Sequence, residues 1–165
     1  MIIRKVKKHE CSLIVQILKD SAEYLHQKGI NQWKEPISEK EIADDIELQR
    51  VFIVQKILGK KLGIFSIRDM DYFWPVNDYN KDTMYFYRFT ICREYLGHGL
   101  GASIYSAIEK RLQKKYKKIR LDCWAGNNKL KEFYKNLGFK EKGDFPESDY
   151  YISLFEKEMR TTTDM

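Results

Sequence analysis

Cysteine is scarce in this 165-residue sequence: three occur, at positions 11, 92 and 123. An odd number of widely spaced thiols argues against a disulfide framework and fits a reducing, cytoplasmic setting. Nor do the thiols combine with the three histidines at metal-ligand spacing, so no metal site is expected. Cys92 and Cys123 fall in or beside β-prone runs, where thiols usually serve as small buried hydrophobes. Long apolar runs are also missing. None approaches the roughly 18 residues needed to cross a bilayer, which excludes a membrane-spanning helix. The opening "MIIRKVKKHE" lacks the apolar stretch and cleavage site of a secretion signal, again favouring the cytoplasm. No internal repeat, low-complexity linker or domain boundary stands out. Residues 1–158 read as one domain and 159–165 as a flexible tail.

Apolar residues make up 43% and aromatics 14% of the chain, enough for a packed core. Thirty Lys and Arg against 24 Asp and Glu give a formal charge of +6, which attracts anions of many kinds. The densest basic stretch, "KRLQKKYKK" at 110–118, reads as a solvated helix end, where cations offset the carbonyl dipoles. No recognition-helix or zinc module accompanies it, so nucleic acid is not the expected partner.

"IIRKV" opens as a short strand. The segment "HECSLIVQILKDSAEYLHQKG" places Ile14, Ile17, Leu18, Ser21 and Leu25 on one helical face, with Gly29 as its stop. Ser38 with Glu41 forms a capping-box pattern before Ile42 and Ile46. Two β-rich runs around Gly59-Lys60-Lys61 read as a hairpin, and "TMYFYRFTICR" is a further strand. Between them, 71–82 breaks the pattern with Pro75 and turn-forming residues. Tyr72, Phe73 and Trp74 there can cover a cleft, form a dimer contact or anchor a loop. Beyond "GHGLG", Leu100, Ile104, Ile108 and Leu112 predict a helix over 99–115. The strand "KKIRLDCW", the helix "NNKLKEFYKNLG" and two closing strands, "FKEKGDF" and "YYISLFEKEM", complete the pattern. The expected fold class is α/β, a mixed, mostly antiparallel central sheet flanked by helices.

Glycines at 97, 99 and 101 stand where the strand at 84–92 gives way to a helix. Such a bend admits backbone shapes that a Cβ disfavours and lets a ligand approach closely. Unpaired amides at the helix start can receive phosphate oxygens, with His98 and Arg93 as supplements. Spacing alone leaves phosphate binding and a purely steric turn both open. The dinucleotide fingerprint G-x-G-x-x-G is not matched, although Asp122 falls near the distance of its acidic partner.

"YRFTICREYLGHGLGASIY" resembles the acetyl-CoA segment of the GCN5-related N-acetyltransferase (GNAT) superfamily. "RLDCWAGNNKLKEFYKNLGF" resembles its adjoining strand–helix segment in many bacterial members. The resemblance implies a GNAT-like fold and transfer of acetyl from acetyl-CoA to a primary amine of a small molecule, peptide or protein, by direct attack in a ternary complex. It places the pantetheine arm and acetyl carbonyl on the backbone of Thr90, Ile91 and Cys92. It places the pyrophosphate on Gly97, His98, Gly99, Leu100, Gly101 and Ala102. The family's usual Gln or Arg at the head of that loop is Leu96 here. Asn127 resembles the asparagine beside the cofactor arm, and Tyr134 the tyrosine beside the thiol. "LHQKGINQW" is similar to a segment of some small bacterial acetyltransferases, without fixing an acceptor.

The implied chemistry needs an oxyanion donor, a proton for the leaving sulfur and a base for the amine. A backbone amide of 90–92 is the expected donor and Tyr134 the expected acid, although Tyr134 also has the phase of a core residue. The strand 84–92 holds no Asp or Glu. Asp122, His26 and a water chain therefore remain as bases; Asp122 reads more readily as a structural strand-end residue, and a water-mediated path is the least forced choice. Trp33 and Trp124 are candidate acceptor contacts that packing alone would also explain. A monomer or homodimer is expected. A non-catalytic acyl-CoA sensor and a nucleotide-dependent redox enzyme are the alternatives.

Overall fold

The computed structural model describes residues 1–30, 37–69, 74 and 81–160. Along the chain run β1 (Ile2–Lys5), α1 (Cys11–Gln27), α2 (Glu39–Glu47), β2 (Val51–Gln55), β3 (Lys61–Arg68) and β4 (Thr83–Ile91). They are followed by α3 (Gly101–Leu112), β5 (Lys118–Trp124), α4 (Asn128–Asn136), β6 (Lys140–Glu147) and β7 (Tyr150–Glu158). The strands join in one sheet in the order β1-β2-β3-β4-β5-β7-β6. Pairing is antiparallel for β1/β2, β2/β3, β5/β7 and β6/β7, and parallel for β4/β5. This is the mixed, mostly antiparallel α/β class expected from the sequence.

Two compact units are distinguishable, Met1–Ser66 with Arg88–Ile104, and Ile67–Tyr87 with Tyr105–Met165. In the first, α1 buries Ile14, Val15 and Leu18 against Ile42 and Ile46 of α2 and against Val51, Ile53 and Ile64 of the strands. The four-residue recurrence of these side chains makes one apolar stripe. Each such buried aliphatic contributes on the order of 1.5–3 kcal/mol of transfer free energy. Ile17 lies at the margin of this cluster, only partly buried. The hydroxyl of Ser38 accepts the N–H of Glu41 at 3.2 Å, which fixes the start of α2. The expected hairpin forms, with Val51 opposite Ser66 and Val54 opposite Gly63.

In the second unit, Tyr105 sits edge-on to Phe86 at 6.0 Å and to Phe139 at 5.7 Å. Its phenol donates to Glu109 at 3.0 Å. The expected helix over 99–115 is shorter: α3 begins at Gly101 and ends at Leu112. Left-handed backbone at Gly97 and Gly99 keeps the preceding residues outside it. The basic stretch 110–118 is therefore a helix end and its exit. Within it, Tyr116 is buried and donates to Asp69 at 2.9 Å. Asp122, read as a strand-end residue, lies inside β5, where it faces Leu154 of β7. Met159 is buried, and its N–H donates to the Lys117 carbonyl at 2.7 Å.

Candidate active site

The end of β4 and the loop after it belong to the first unit. Thr90 and Cys92 are buried and Ile91 is partly so. Thr90 lies against β3 so closely that a Cβ on Gly63 would stand 2.7 Å from its carbonyl oxygen. The Cys92 N–H donates to the Leu62 carbonyl at 2.9 Å, and its own carbonyl accepts from Tyr95 at 2.9 Å. Cys92 thus has its amide committed to β3, which removes it from the three amides offered as oxyanion donors. Its thiol is pushed up to about 11 by burial and by Glu94, against the opposing Lys61. A neutral thiol is no nucleophile.

After a 3-10 turn at Arg93–Tyr95, Gly97 and Gly99 take φ values of 80° and 70°. A β-carbon on either would meet nothing within 4 Å, so the bend faces open space. The sequence stretch is glycine-rich because this turn needs left-handed backbone twice. Within the bend, the His98 N–H makes a long 3.4 Å contact to the Tyr95 carbonyl. From Gly99 to Ser103, no described group accepts an N–H, and the first bond of the helix is Ile104 to Leu100 at 3.0 Å. A run of unsatisfied amides at the start of α3 carries the positive end of the helix dipole. Gly97, His98 and Gly99 are exposed, and Leu100 and Gly101 partly so. Five open donors on one turn suit a multiply charged phosphate group, and no metal is needed to supply that charge. Arg93 lies 3.8 Å from Glu23, so its charge is shared with α1.

The second unit holds Asp122, Trp124, Asn127 and Tyr134. Asp122 is partly exposed, yet its carboxyl is pushed up to about 7 by loss of water, with Glu147 adding to the rise and Arg68 opposing it. Glu147 is itself raised by burial. Neither Glu147 nor Arg68 was marked by any sequence motif. The alternation of β6 and β7 puts Glu147, Phe145, Ile152 and Asp122 on one sheet face, a signal visible only once the register is known. Tyr134 is buried on α4, edge-on to Phe139 at 5.4 Å and tilted to Phe155 at 6.0 Å. Burial pushes its phenol well above the ordinary range, with Cys123 and Asp122 adding to the shift. No described residue hydrogen-bonds its hydroxyl. Cys123, raised to about 12 by burial, is as inert as Cys92.

Asn127 caps α4: its side-chain oxygen accepts the N–H of Leu130 at 3.1 Å. That leaves its amide donors for another partner. Trp124 lies over Gly126, where a β-carbon would stand 2.5 Å from the indole. Packing therefore accounts for its position. Trp74 stacks under the Arg120 guanidinium at 4.4 Å, and Arg120 in turn pairs with Glu156 at 2.9 Å, which anchors this point of the 71–82 segment. Trp33, Tyr72 and Phe73 lie outside the described residues. His26 is exposed on α1. Thus the glycine bend and Thr90–Cys92 fall in one unit, and the proton-handling candidates in the other.

Comparison with known proteins bears on the chain as a whole. Residues 21–156 match the model of the acetyltransferase (GNAT) domain. The chain is 30% identical over 153 residues to the uncharacterized N-acetyltransferase YesJ of Bacillus subtilis (strain 168), covering 88% of this chain and 83% of that protein. It is similar to the crystal structure of a GNAT-family acetyltransferase from Listeria monocytogenes 4b F2365, with TM-score 0.75, 25% identity, and coverage of 96% and 94% of the two chains. It shares its fold with yncA from Salmonella typhimurium, solved with its cofactor acetyl-CoA, at TM-score 0.69 and 16% identity over 97% of this chain and 94% of the other. Among the described residues no helix is long and apolar enough to cross a membrane.

Proposed function

The chain belongs to the GNAT acetyltransferase family, and from that premise we propose that it acetylates a primary amine by direct attack, with Asp122 and Tyr134 handling the protons. It is an N-acetyltransferase, and acetyl-CoA is its cofactor. The observation that carries the cofactor assignment is the run of acceptor-less amides from Gly99 to Ser103 behind two left-handed glycines. Acetyl-CoA, when bound, supplies an activated thioester. The loop amides hold its linked phosphates, and Asn127 offers its free amide donors to the pantetheine arm.

An amine acceptor reaches the enzyme mostly as ammonium, so a base must take a proton before attack. A carboxyl poised near 7 is half-ionised at neutral pH and matches that task. Asp122 is thereby favoured over the exposed His26. Tyr134 stays protonated throughout the neutral range and keeps a hydrogen-bond donor for the departing sulfur. Complete transfer from so weak an acid to a thiolate, whose conjugate acid has a pKa of about 8.5, runs uphill. Its contribution is therefore a hydrogen bond, and the final proton comes from solvent. The oxyanion donor is a backbone amide of Thr90 or Ile91, since that of Cys92 is engaged with β3. The acceptor is an amine-bearing small molecule, peptide or protein.

Release of coenzyme A measured across panels of small amines, peptides and protein tails tests the activity. Gly99→Val tests the loop. The branched side chain fills the space through which the phosphates approach, so coenzyme A affinity should fall by roughly tenfold or more, while the left-handed backbone adds about 1–2 kcal/mol of strain to the fold itself. A folded variant that binds coenzyme A as tightly as the parent would remove the phosphates from this loop.

A further inference from the structure

One strand residue breaks the rule of its element. Arg88, near the middle of β4, has φ of 53°. Among the described residues it is the one non-glycine within a strand that takes left-handed backbone; Gln49 and Ser148, the others with positive φ, lie in turns. Such a conformation persists only where surrounding contacts over-determine it, and a kink of this kind re-aims the strand that follows. The residues that follow are Thr90, Ile91 and Cys92.

The contacts that hold Arg88 come from α2. Its Nη1 donates to Asp45 Oδ2 at 2.8 Å, and its Nη2 to Glu41 Oε2 at 3.3 Å. Glu41 and Asp45 stand one turn apart on the same helix face, so the guanidinium fork spans both. Asp45 is largely buried, with 12% of its side chain exposed, and it also accepts Arg50 Nη1 at 3.3 Å. Arg50 is further tied to α2 through its N–H, which donates to the Asp45 carbonyl at 2.9 Å. The helix itself is anchored by Ile42 and Ile46 in the core and by the Ser38 cap. On the other side, the Thr90 hydroxyl donates to the Arg88 carbonyl at 3.3 Å. The close approach of Gly63 to the Thr90 carbonyl leaves that end of the strand no room to shift toward β3.

We propose that Asp45 and Arg88 are positioning residues: the ion pair from α2 locks the kink in β4 and so sets the backbone of Thr90–Cys92 for the thioester arm. This rests on the reading that Thr90–Cys92 holds that arm. Neither residue touches the acyl donor. The sequence shows an ordinary arginine in a β-prone run and an ordinary acid in an amphipathic helix, and only the fold joins them.

Steady-state kinetics with acetyl-CoA varied at saturating amine, and the converse, separate the effects. Asp45→Asn keeps the side-chain shape and removes the charge. It should raise the KM for acetyl-CoA about tenfold and leave the KM for the amine within about twofold. Arg88→Gly should do the same, because glycine accepts the left-handed backbone yet nothing enforces it. Arg88→Lys retains one charged contact without the fork and should restore part of the affinity, to within about threefold of the parent. Should Asp45→Asn fail to fold, the ordering of Gly and Lys at position 88 decides the matter. A folded Asp45→Asn enzyme with a lower Tm but unchanged acetyl-CoA KM and kcat would overturn the proposal, since the pair would then serve stability alone. Gly99→Val run in parallel separates the two possible failures. If it weakens coenzyme A binding while the Asp45 and Arg88 variants do not, the clamp is wrong and the cofactor site stands. If none of them changes binding, the site reading falls, and the clamp with it.

Discussion

Replacing Asp122 by asparagine separates a carboxyl that titrates in function from one that merely fills space. In the folded chain this group ionises near 7, against 3.8 for an unhindered aspartate. A gap of that size corresponds to roughly 4 kcal/mol in favour of the neutral form, at 1.36 kcal/mol for each pKa unit. Water reaching the partly exposed side chain reduces this to the order of 2–4 kcal/mol. The sign follows from proton binding. Between about 4 and 7 the folded state holds a proton that the unfolded state has lost, so parent stability falls as pH rises through that window and levels off above it. Asparagine imitates the neutral carboxyl and has no such dependence. Urea denaturation at half-unit steps from pH 4 to 9 should show the variant gaining on the parent by that amount between pH 4 and 8, with a constant difference beyond. The same variant should lose the ascending limb of kcat/KM near pH 7. Parallel stability curves for the two proteins would show that Asp122 ionises normally, and the base assignment would lose its physical ground.

Glu147→Gln removes the negative charge that helps hold Asp122 neutral, so the ascending limb of kcat/KM should move to lower pH; a limb that stays in place would show that burial alone sets the shift. Tyr134→Phe should leave thermal stability within about 0.5 kcal/mol, because no described residue bonds the hydroxyl it deletes. Turnover should fall by about tenfold or more while coenzyme A affinity, read by calorimetry, stays within about twofold. Unchanged turnover would return Tyr134 to the aromatic core it visibly occupies with Phe139 and Phe155.

Which features could be foreseen depends on the range of the interactions that make them. The glycine bend was legible because left-handed backbone at Gly97 and Gly99 leaves a mark in residue type itself. The α1 stripe and the Ser38 cap were legible for a related reason, since periodicity and capping are decided within a turn or two of chain. Asp122 shows the opposite case. Its residue type suggested an ordinary strand-end acid, whereas its proton affinity is set first by loss of water within the fold, then raised by Glu147 on β6 and opposed by Arg68 on β3. The Cys92 amide was equally opaque, because its engagement with Leu62 follows from the pairing of β3 with β4. Arg88 lies furthest beyond sequence reasoning: its backbone contradicts its own side-chain type, and the reason is a carboxylate on α2. The glycine bend is thus written in local preferences and can be read without a structure. The groups that set the proton affinity of Asp122 and the backbone of Arg88 are written in contacts between distant segments, where two residues of unremarkable type acquire a role only from each other.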